Sequence, residues 1–275
     1  MPQLLSVAVC IYPGVTLSDF IPCIEALAGL NNADHPLFGK AMGDVPYRVK
    51  FEYLAPTMDP VVSLLGACAP TVNPTTTFAK ALASGEQFDI IWVPAGPLPD
   101  ETGAFQLPDG VQEFLTTQAP KAKYILSVCG GSAILATVGL LSGKKATTNK
   151  AFYRATVAAT PKDIKWVAKA RWVVDGNIWT SSGVTAGTDM AMAFVEHLAG
   201  PRAGRVLRGL IEIREVSEDD DPSRRVPWAF VDIGGLRIYK LIHDVYTPEL
   251  SKYLHGDVHA TERSPGPQET IHTNS

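Results

Sequence analysis

Cys129 lies in the stretch "KYILSVCGGSAILATVGLLSG", which spans residues 123–143. A short apolar run precedes the cysteine, two glycines follow it, and an apolar pattern with helical spacing comes next. This order predicts a sharp strand-to-helix turn with the thiol at its tip. Unpaired N–H groups at the start of a helix near Ser132 favour a thiolate, so we expect a lowered thiol pKa and a nucleophilic sulfur. The structural alternative is a small core residue at a strand end.

Gly130 and Gly131 follow the thiol directly. Because they have no side chains, they let the backbone bend tightly and approach a bound molecule closely. Their N–H groups are therefore candidates for binding the negative charge that develops on a substrate. The pattern indicates covalent catalysis by Cys129 on a small electrophilic molecule.

The elements around this turn are typical of βαβ units on a parallel sheet, because short β-rich runs alternate with amphipathic helical stretches. The predicted strands are 5–12, 47–55, 88–94 and 123–128. The predicted helices are 18–30, 76–83, 109–119, 131–140, 149–158, 187–199 and 201–214. Within 166–182, two β-rich runs flank "DGN", which predicts a hairpin.

The chain has no convincing linker before residue 215, so we predict one domain over 1–215. From Ser217 the periodicity is lost, and residues 216–275 are a predicted C-terminal extension. Its end, from about residue 256, has the composition of a disordered tail.

The overall composition is that of a globular protein with one core. Hydrophobic residues make up 46% of the 275 residues and charged residues 19%. The net charge of -4 and the lack of a basic cluster argue against nucleic-acid binding. No apolar run is long enough to span a membrane. The N-terminal "LLSVAVCIY" lacks a basic leader and a cleavage site, so we interpret it as a strand and expect a cytoplasmic protein.

The remaining cysteines and histidines give no metal-binding pattern. Cys10 and Cys23 are predicted core residues, and Cys68 is expected in a loop or at a strand edge, with no CxxC pair among them. His255 and His259 are four residues apart, but the sequence around them lacks a helical pattern, so no metal site is predicted. No P-loop or dinucleotide-binding glycine pattern is present, and we predict no cofactor.

Four segments resemble, in order, the motifs of the DJ/ThiJ/PfpI superfamily. They are "IYPGVTLSDFIPCIEAL", "IIWVPAGPLPD", "SVCGGSAILATVGLLSGKKATTN" and "DGNIWTSSGVTAGTDMAMAFVEHLAG", and together they cover roughly residues 5–215. Within the superfamily they are most similar to the isocyanide (isonitrile) hydratase-like branch. The resemblance implies an α/β fold of the flavodoxin-like kind, in which a doubly wound, mostly parallel sheet carries helices on both faces and a cysteine nucleophile elbow.

The resemblance also implies an acid partner for the sulfur. In the hydratase-like branch an acid from the first helix lies beside the thiol, and Asp19 matches it, although a helix-capping role is the alternative. A carboxyl group beside a thiolate is expected to be partly protonated and able to give a proton to the substrate. The backbone N–H groups of Gly130 and of Gly96 or its neighbours are the implied donors to the substrate. Gly130 departs from the usual Thr or Ser, and Ala95 departs from the usual V-P-G-G loop.

Other superfamily members, the amidotransferases and peptidases, use a Cys-His pair. Their histidine follows the elbow segment, where this chain has Asn149. His197 lies deep in a predicted helix and is interpreted as a helix-end residue. Without a histidine base, proteolysis and glutamine hydrolysis are disfavoured.

The leading hypothesis is hydration of an isocyanide to an N-substituted formamide by Cys129 and Asp19. Conversion of methylglyoxal to lactate, or a step on a specialised metabolite, is the enzymatic alternative. A redox-sensing or chaperone-like protein, in which Cys129 is oxidised, is the non-enzymatic one. A ligand-sensing regulator is disfavoured because no helix-turn-helix pattern follows residue 215. The resemblance further implies a homodimer, and we expect neither nucleic acid nor a membrane as a partner.

Overall fold

The computed structural model describes residues 1–97 and 106–219. Most of the predicted extension 216–275, its tail and the histidines 255 and 259 lie outside the described residues. The predicted domain boundary near residue 215 therefore stays a prediction.

A central sheet of seven strands organises the molecule. The described residues form nine strands, which are β1 (Gln3–Cys10), β2 (Tyr47–Ala55), β3 (Thr76–Thr77), β4 (Ile90–Val93), β5 (Tyr124–Val128), β6 (Lys145–Ala146), β7 (Lys165–Trp166), β8 (Trp172–Asp175) and β9 (Ile178–Ser181). The central sheet has the order β3-β2-β1-β4-β5-β9-β8, and β6 pairs with β7 apart from it. All neighbours in the central sheet are parallel except β8 and β9, which are antiparallel. The predicted mostly parallel α/β sheet is thus confirmed.

The middle strands are covered on both faces. All four residues of β4 are buried, and so are the last four residues of β5. Because successive side chains of a strand point to opposite faces, protein must pack on both sides of this sheet. The continuously apolar sequence of these two strands follows from that double burial.

Seven helices surround the sheet in the described residues. They are α1 (Ile21–Ala28), α2 (Gly39–Met42), α3 (Phe78–Ala83), α4 (Val111–Gln118), α5 (Gly131–Thr137), α6 (Tyr153–Ala159) and α7 (Thr185–Leu210). Helices α1 and α2 pack against α7, and α3 packs against α4. Helix α7 is interrupted at Gly200, where φ is 80° and ψ is 167°. This break separates the two helices that the sequence predicts on either side of residue 200.

Some predicted boundaries are wrong at the ends of elements. The predicted helix 18–30 starts with a 3-10 turn, Leu17–Asp19, and the α-helix begins only at Ile21. Pro22 lies in the first turn of α1, where its missing N–H costs no hydrogen bond. Thr76 and Thr77 form strand β3 instead of the first turn of a helix. Two-residue strands such as β3, β6 and β7 are too short to give a periodic signal.

The predicted "DGN" hairpin is confirmed. Asp175 pairs with Ile178, so Gly176 and Asn177 form a two-residue turn between β8 and β9. Gly176 has a φ of 65°, which glycine adopts without steric cost. Through this hairpin the chain returns to the sheet as β9, parallel to β5. Among the described helices, none combines the length and the apolarity that crossing a membrane requires.

Candidate active site

Cys129 forms the tip of a sharp turn between β5 and α5, and its φ is 60°. A positive φ is uncommon for a residue with a side chain and is held only by surrounding contacts. The Cys129 N–H donates to Ser182 O at 2.8 Å. The hydroxyl groups of Ser132 and Thr148 donate to Cys129 O at 3.0 and 3.1 Å. The backbone of the predicted nucleophile is therefore fixed on both sides.

The two glycines after Cys129 have different roles from those expected. The bend lies at Cys129 itself, since Gly130 has an ordinary helical φ of -68°. A Cβ atom at Gly131 would lie 2.0 Å from Val93 O, so this glycine lets α5 pack directly on the end of β4. A Cβ atom at Gly130 would lie 3.4 Å from the Ala95 Cβ, an ordinary contact. Only Gly131 is required by packing.

Asp19 lies after β1, in the 3-10 turn and not within the first helix as expected. Its side chain is fully buried. The Ala95 N–H donates to Asp19 Oδ2 at 3.2 Å, and the Val184 N–H donates to Oδ1 at 3.3 Å. The carboxyl group is therefore held by backbone from the loops after β4 and β9. It does not cap the helix that follows it, because α1 has no side-chain cap.

The Cys129 thiol and the Asp19 carboxyl lie close enough for each to shift the pKa of the other. Burial raises the pKa of Asp19 to about 6, against the opposing effect of its two backbone donors and of the thiol. Burial, together with the charge of Asp19, raises the pKa of the Cys129 thiol above its ordinary value. The expectation of a lowered thiol pKa is therefore wrong, because the Gly130 N–H and the Asn149 side chain do not outweigh burial. From these two directions we expect the pair to hold one proton at neutral pH, with sulfur as its favoured position.

The cysteine lies at the surface opening of the site. Cys129, Gly130 and Gly183 are each partly exposed, whereas Asp19 lies beneath them without exposure. The loop after β5 and the loop after β4 were both expected to offer backbone N–H groups to a substrate. The Gly130 N–H bonds the sulfur, and the Ala95 N–H is already engaged by Asp19. A Cβ atom at Gly96 would lie 2.8 Å from the Tyr12 ring, so this glycine lets the loop after β4 approach β1.

Asn149 also contacts the nucleophile, and the sequence-based site did not include it. Its Nδ2 lies 3.1 Å from Cys129 Sγ. The only sequence signal was its position, where related Cys-His enzymes carry their histidine. Val184 was missed as well, because a backbone donor leaves no mark on residue type.

His197 lies away from the sulfur. Its Nε2 is 3.0 Å from the Tyr124 hydroxyl, and its ring packs near Trp179 and Phe194. Tyr124 begins β5, whereas Cys129 follows the end of that strand. His197 therefore lies near the end of β5 that is farther from the sulfur. It cannot serve as a base for Cys129.

The other cysteines fit their predicted surroundings. Cys10 and Cys23 are buried, and Cys68 is exposed in a 3-10 turn. No cluster of metal-binding side chains occurs within residues 1–97 and 106–219.

Comparison with known proteins places this geometry in a family. The DJ-1/PfpI family model matches residues 6–197. The isonitrile hydratase of Pseudomonas putida is 34% identical over 176 residues, which are 63% of this chain and 70% of that protein. This chain belongs to the DJ-1/PfpI family. The resemblance inferred from the four sequence segments is confirmed.

The relatives of this chain include proteins named for other activities. A deglycase of Pyrococcus horikoshii is 30% identical over 124 residues, which are 45% of this chain and 69% of that protein. A ThiJ/PfpI family structure from Pseudomonas syringae gives a TM-score of 0.60 at 23% identity and covers 93% of this chain and 92% of that one. This structural likeness shows the fold alone.

Proposed function

We propose that this DJ-1/PfpI protein is an enzyme that hydrates an isocyanide to an N-substituted formamide. The observation that carries the proposal is the proximity of the thiol of the partly exposed Cys129 to a buried Asp19 carboxyl of raised pKa. Addition to an isocyanide requires a nucleophile for the terminal carbon and a proton for that same carbon. One proton shared between sulfur and carboxylate meets both needs. The similarity to the hydratase of Pseudomonas putida supports the same assignment.

The first half of the reaction forms a thioimidate. Asp19 accepts the thiol proton as Sγ attacks the terminal carbon of R–N≡C, and it then gives that proton to the carbon. The product is R–N=CH–S–Cys129, so the thiol has added across the carbon without loss or gain of atoms. Because burial raises the pKa of the carboxyl to about 6, Asp19 is a stronger proton acceptor for the thiol than an ordinary aspartate would be, and once protonated it can still give the proton to the carbon.

The second half consumes one water molecule. Water adds its oxygen to the same carbon, and the nitrogen takes up a proton. The C–S bond then breaks, its electron pair returns to Sγ, and the thiol recovers its proton. The products are R–NH–CHO and the free enzyme.

The two departures from the hydratase pattern lie in contact. A Cβ atom at Gly130 would be 3.4 Å from the Ala95 Cβ, so the methyl group of Ala95 faces the position that elsewhere carries Thr or Ser. At these two positions the chain therefore has a methyl group and no hydroxyl group. We propose that the R group of the substrate is apolar where it faces these two positions.

The proposal is tested by following formamide from cyclohexyl isocyanide with wild type, Cys129→Ala and Asp19→Asn. We expect turnover by wild type, no formamide above background with Cys129→Ala, and a roughly hundred- to ten-thousandfold lower rate with Asp19→Asn. Cys68→Ala is the matched control, because it removes an exposed thiol outside the candidate site, and its rate is expected to equal that of wild type.

A parallel incubation with methylglyoxal, followed as lactate, tests the alternative enzymatic activity. Lactate formation that needs Cys129, without formamide formation, would replace the hydratase proposal. Turnover of neither compound, with a peroxide-dependent mass gain at Cys129, would favour a redox-sensing protein.

We also propose that the protein works as a cytoplasmic homodimer without a cofactor. Light scattering of the purified full-length chain measures the oligomeric state. A monomeric mass at micromolar concentration would contradict the dimer.

A further inference from the structure

The sulfur of Cys129 is surrounded by groups with opposing effects on its charge. Burial and the neighbouring Asp19 both disfavour the thiolate. The Gly130 N–H and the Asn149 side chain favour it, and both are uncharged. The thiolate forms at least transiently in both halves of the proposed reaction, as attacking group and as leaving group. The stability of the thiolate in these steps then depends on the hydrogen bonds from Gly130 and Asn149.

The Asn149 amide has one orientation that satisfies its neighbours. The Ala151 N–H donates to Asn149 Oδ1 at 2.8 Å, which identifies that atom as the oxygen. The other end of the amide, Nδ2, must then face Cys129 Sγ, at 3.1 Å. The donor is therefore aimed at the sulfur before any substrate binds.

Gly183 provides the space for this contact. A Cβ atom at residue 183 would lie 2.5 Å from Asn149 Nδ2 and 3.9 Å from Cys129 Sγ. Any side chain at this position would press on the amide but not on the sulfur. The loop after β9 thus serves the nucleophile in two ways, since the next residue, Val184, donates to Asp19.

We propose that Asn149 is a catalytic residue, whose amide N–H stabilises the Cys129 thiolate as the C–S bond forms and again as it breaks, and that Gly183 is the positioning residue for it. The inference rests on the proposed isocyanide chemistry for the two steps, but the contact itself concerns the sulfur alone. Asp19 moves the proton, and Asn149 carries none. In this scheme Asp19 and Asn149 together take the place of the histidine of a Cys-His pair, since Asp19 transfers the proton and Asn149 donates a hydrogen bond to the sulfur.

The test measures alkylation of Cys129 by iodoacetamide across pH 6–10, read by mass spectrometry of the Cys129 peptide. Asn149→Leu keeps the shape of the side chain and removes the donor. We expect alkylation at pH 7.5 to be roughly ten- to hundredfold slower, with the rise of the rate displaced to higher pH. We expect kcat for isocyanide hydration to fall by a similar factor with little change in KM. Alkylation of exposed Cys68 in the same sample reports reagent activity.

Gly183→Ala is the second variant, because it leaves Asn149 and its bond to Ala151 in place. It is expected to slow alkylation in the same direction. Asn177→Leu is the matched control, since its amide donates to Ala122 O at the opposite edge of the sheet, and its alkylation profile is expected to equal that of wild type. Thermal unfolding of each variant identifies any that fails to fold.

Unchanged alkylation profiles in folded Asn149→Leu and Gly183→Ala would overturn the inference. Slower alkylation in both variants supports it. If wild type forms no formamide while alkylation still depends on Asn149, the hydratase proposal fails and the role of Asn149 on the sulfur stands. If formamide forms but alkylation is indifferent to Asn149, only the present inference fails.

Discussion

At the scale of single residues, Cys129 is held in a conformation that costs about 1–3 kcal/mol for a residue with a side chain. Its N–H, its carbonyl oxygen and its sulfur all have partners from other segments, among them Ser182, Thr148 and Asn149. These contacts hold the backbone and the sulfur of Cys129 in place beside Asp19. The strain is thus coupled to the position of the thiol.

The pH dependence of activity is a residue-scale prediction. The productive form of the pair holds one proton, so kcat/KM for cyclohexyl isocyanide is expected to rise through about pH 6, as Asp19 loses its proton, and then to level off. The thiol pKa is raised, so no further change is expected at neutral pH. Initial rates at low substrate concentration between pH 4.5 and 8.5 give the profile. A rate that falls as Asp19 ionises would mean that the fully protonated pair is the active form.

At the scale of elements, the site is assembled by adjacent parallel strands. The loops after β1, β4, β5 and β9, which are neighbours in the sheet, supply Asp19, Ala95, Cys129 and Val184. Because the carboxyl ends of parallel strands meet at one edge, residues far apart in the chain converge there. The hairpin β8–β9 is needed for this arrangement, since it brings β9 back parallel to β5.

The glycine pair after the nucleophile gives an element-scale prediction. A Cβ atom at Gly131 meets the carbonyl oxygens of Val93 and Pro94 at 2.0 and 2.9 Å, so α5 must move away from β4. We expect Gly131→Ala to lower the free energy of unfolding by roughly 1–3 kcal/mol or more and to reduce activity.

Gly130→Ala is the matched control in the neighbouring position. Its φ of -68° suits any residue, and the added atom makes only an ordinary contact with Ala95. Its free energy of unfolding is expected to stay within about 1 kcal/mol of wild type. Denaturant unfolding measures the free energy of unfolding of both variants. Equal losses of stability would contradict the close packing of α5 on β4 at Gly131.

At the scale of the whole molecule, the buried acid makes stability depend on pH. The pKa of Asp19 is raised from 3.8 to about 6, so the folded protein binds this proton more tightly than the unfolded chain. The resulting stabilisation is complete below pH 3.8 and is lost as pH rises through about 6. Its size is about 2–3 kcal/mol.

This term is isolated by comparing wild type with Asp19→Asn across pH 4–8. The variant loses stability by an amount that does not change with pH, because its amide NH₂ group faces a backbone N–H donor. It has no titrating group at residue 19. We expect the free energy of unfolding of wild type, relative to the variant, to fall by about 2–3 kcal/mol between pH 4 and pH 7.5. A parallel pH dependence of the two proteins would show that Asp19 ionises freely.

Local patterns in the sequence were sufficient for most elements and for the sharp turn that carries Cys129. The apolar runs of β4 and β5 are long enough to identify buried strands, and the "CGGS" turn at Cys129 combines a strand end, two glycines and a helix start within a few residues. The boundaries near Asp19 and Thr76 were wrong, because a 3-10 turn and a two-residue strand depend on contacts beyond the local sequence.

Tertiary structure alone decided the electrostatics of the site. The pKa of the Cys129 thiol is the sum of burial, the Asp19 charge and two hydrogen bonds, and these come from loops that only the strand order brings together. The start of the helix accounts for only one of these contributions, the Gly130 N–H, so the sequence predicted a lowered thiol pKa where the structure raises it. The Asn149 amide and the close approach that Gly183 permits left no local pattern either. The sequence by itself determined which cysteine lies at the strand-to-helix turn, and the folded arrangement decided in which direction its pKa is shifted, because charge is governed by every neighbour in space.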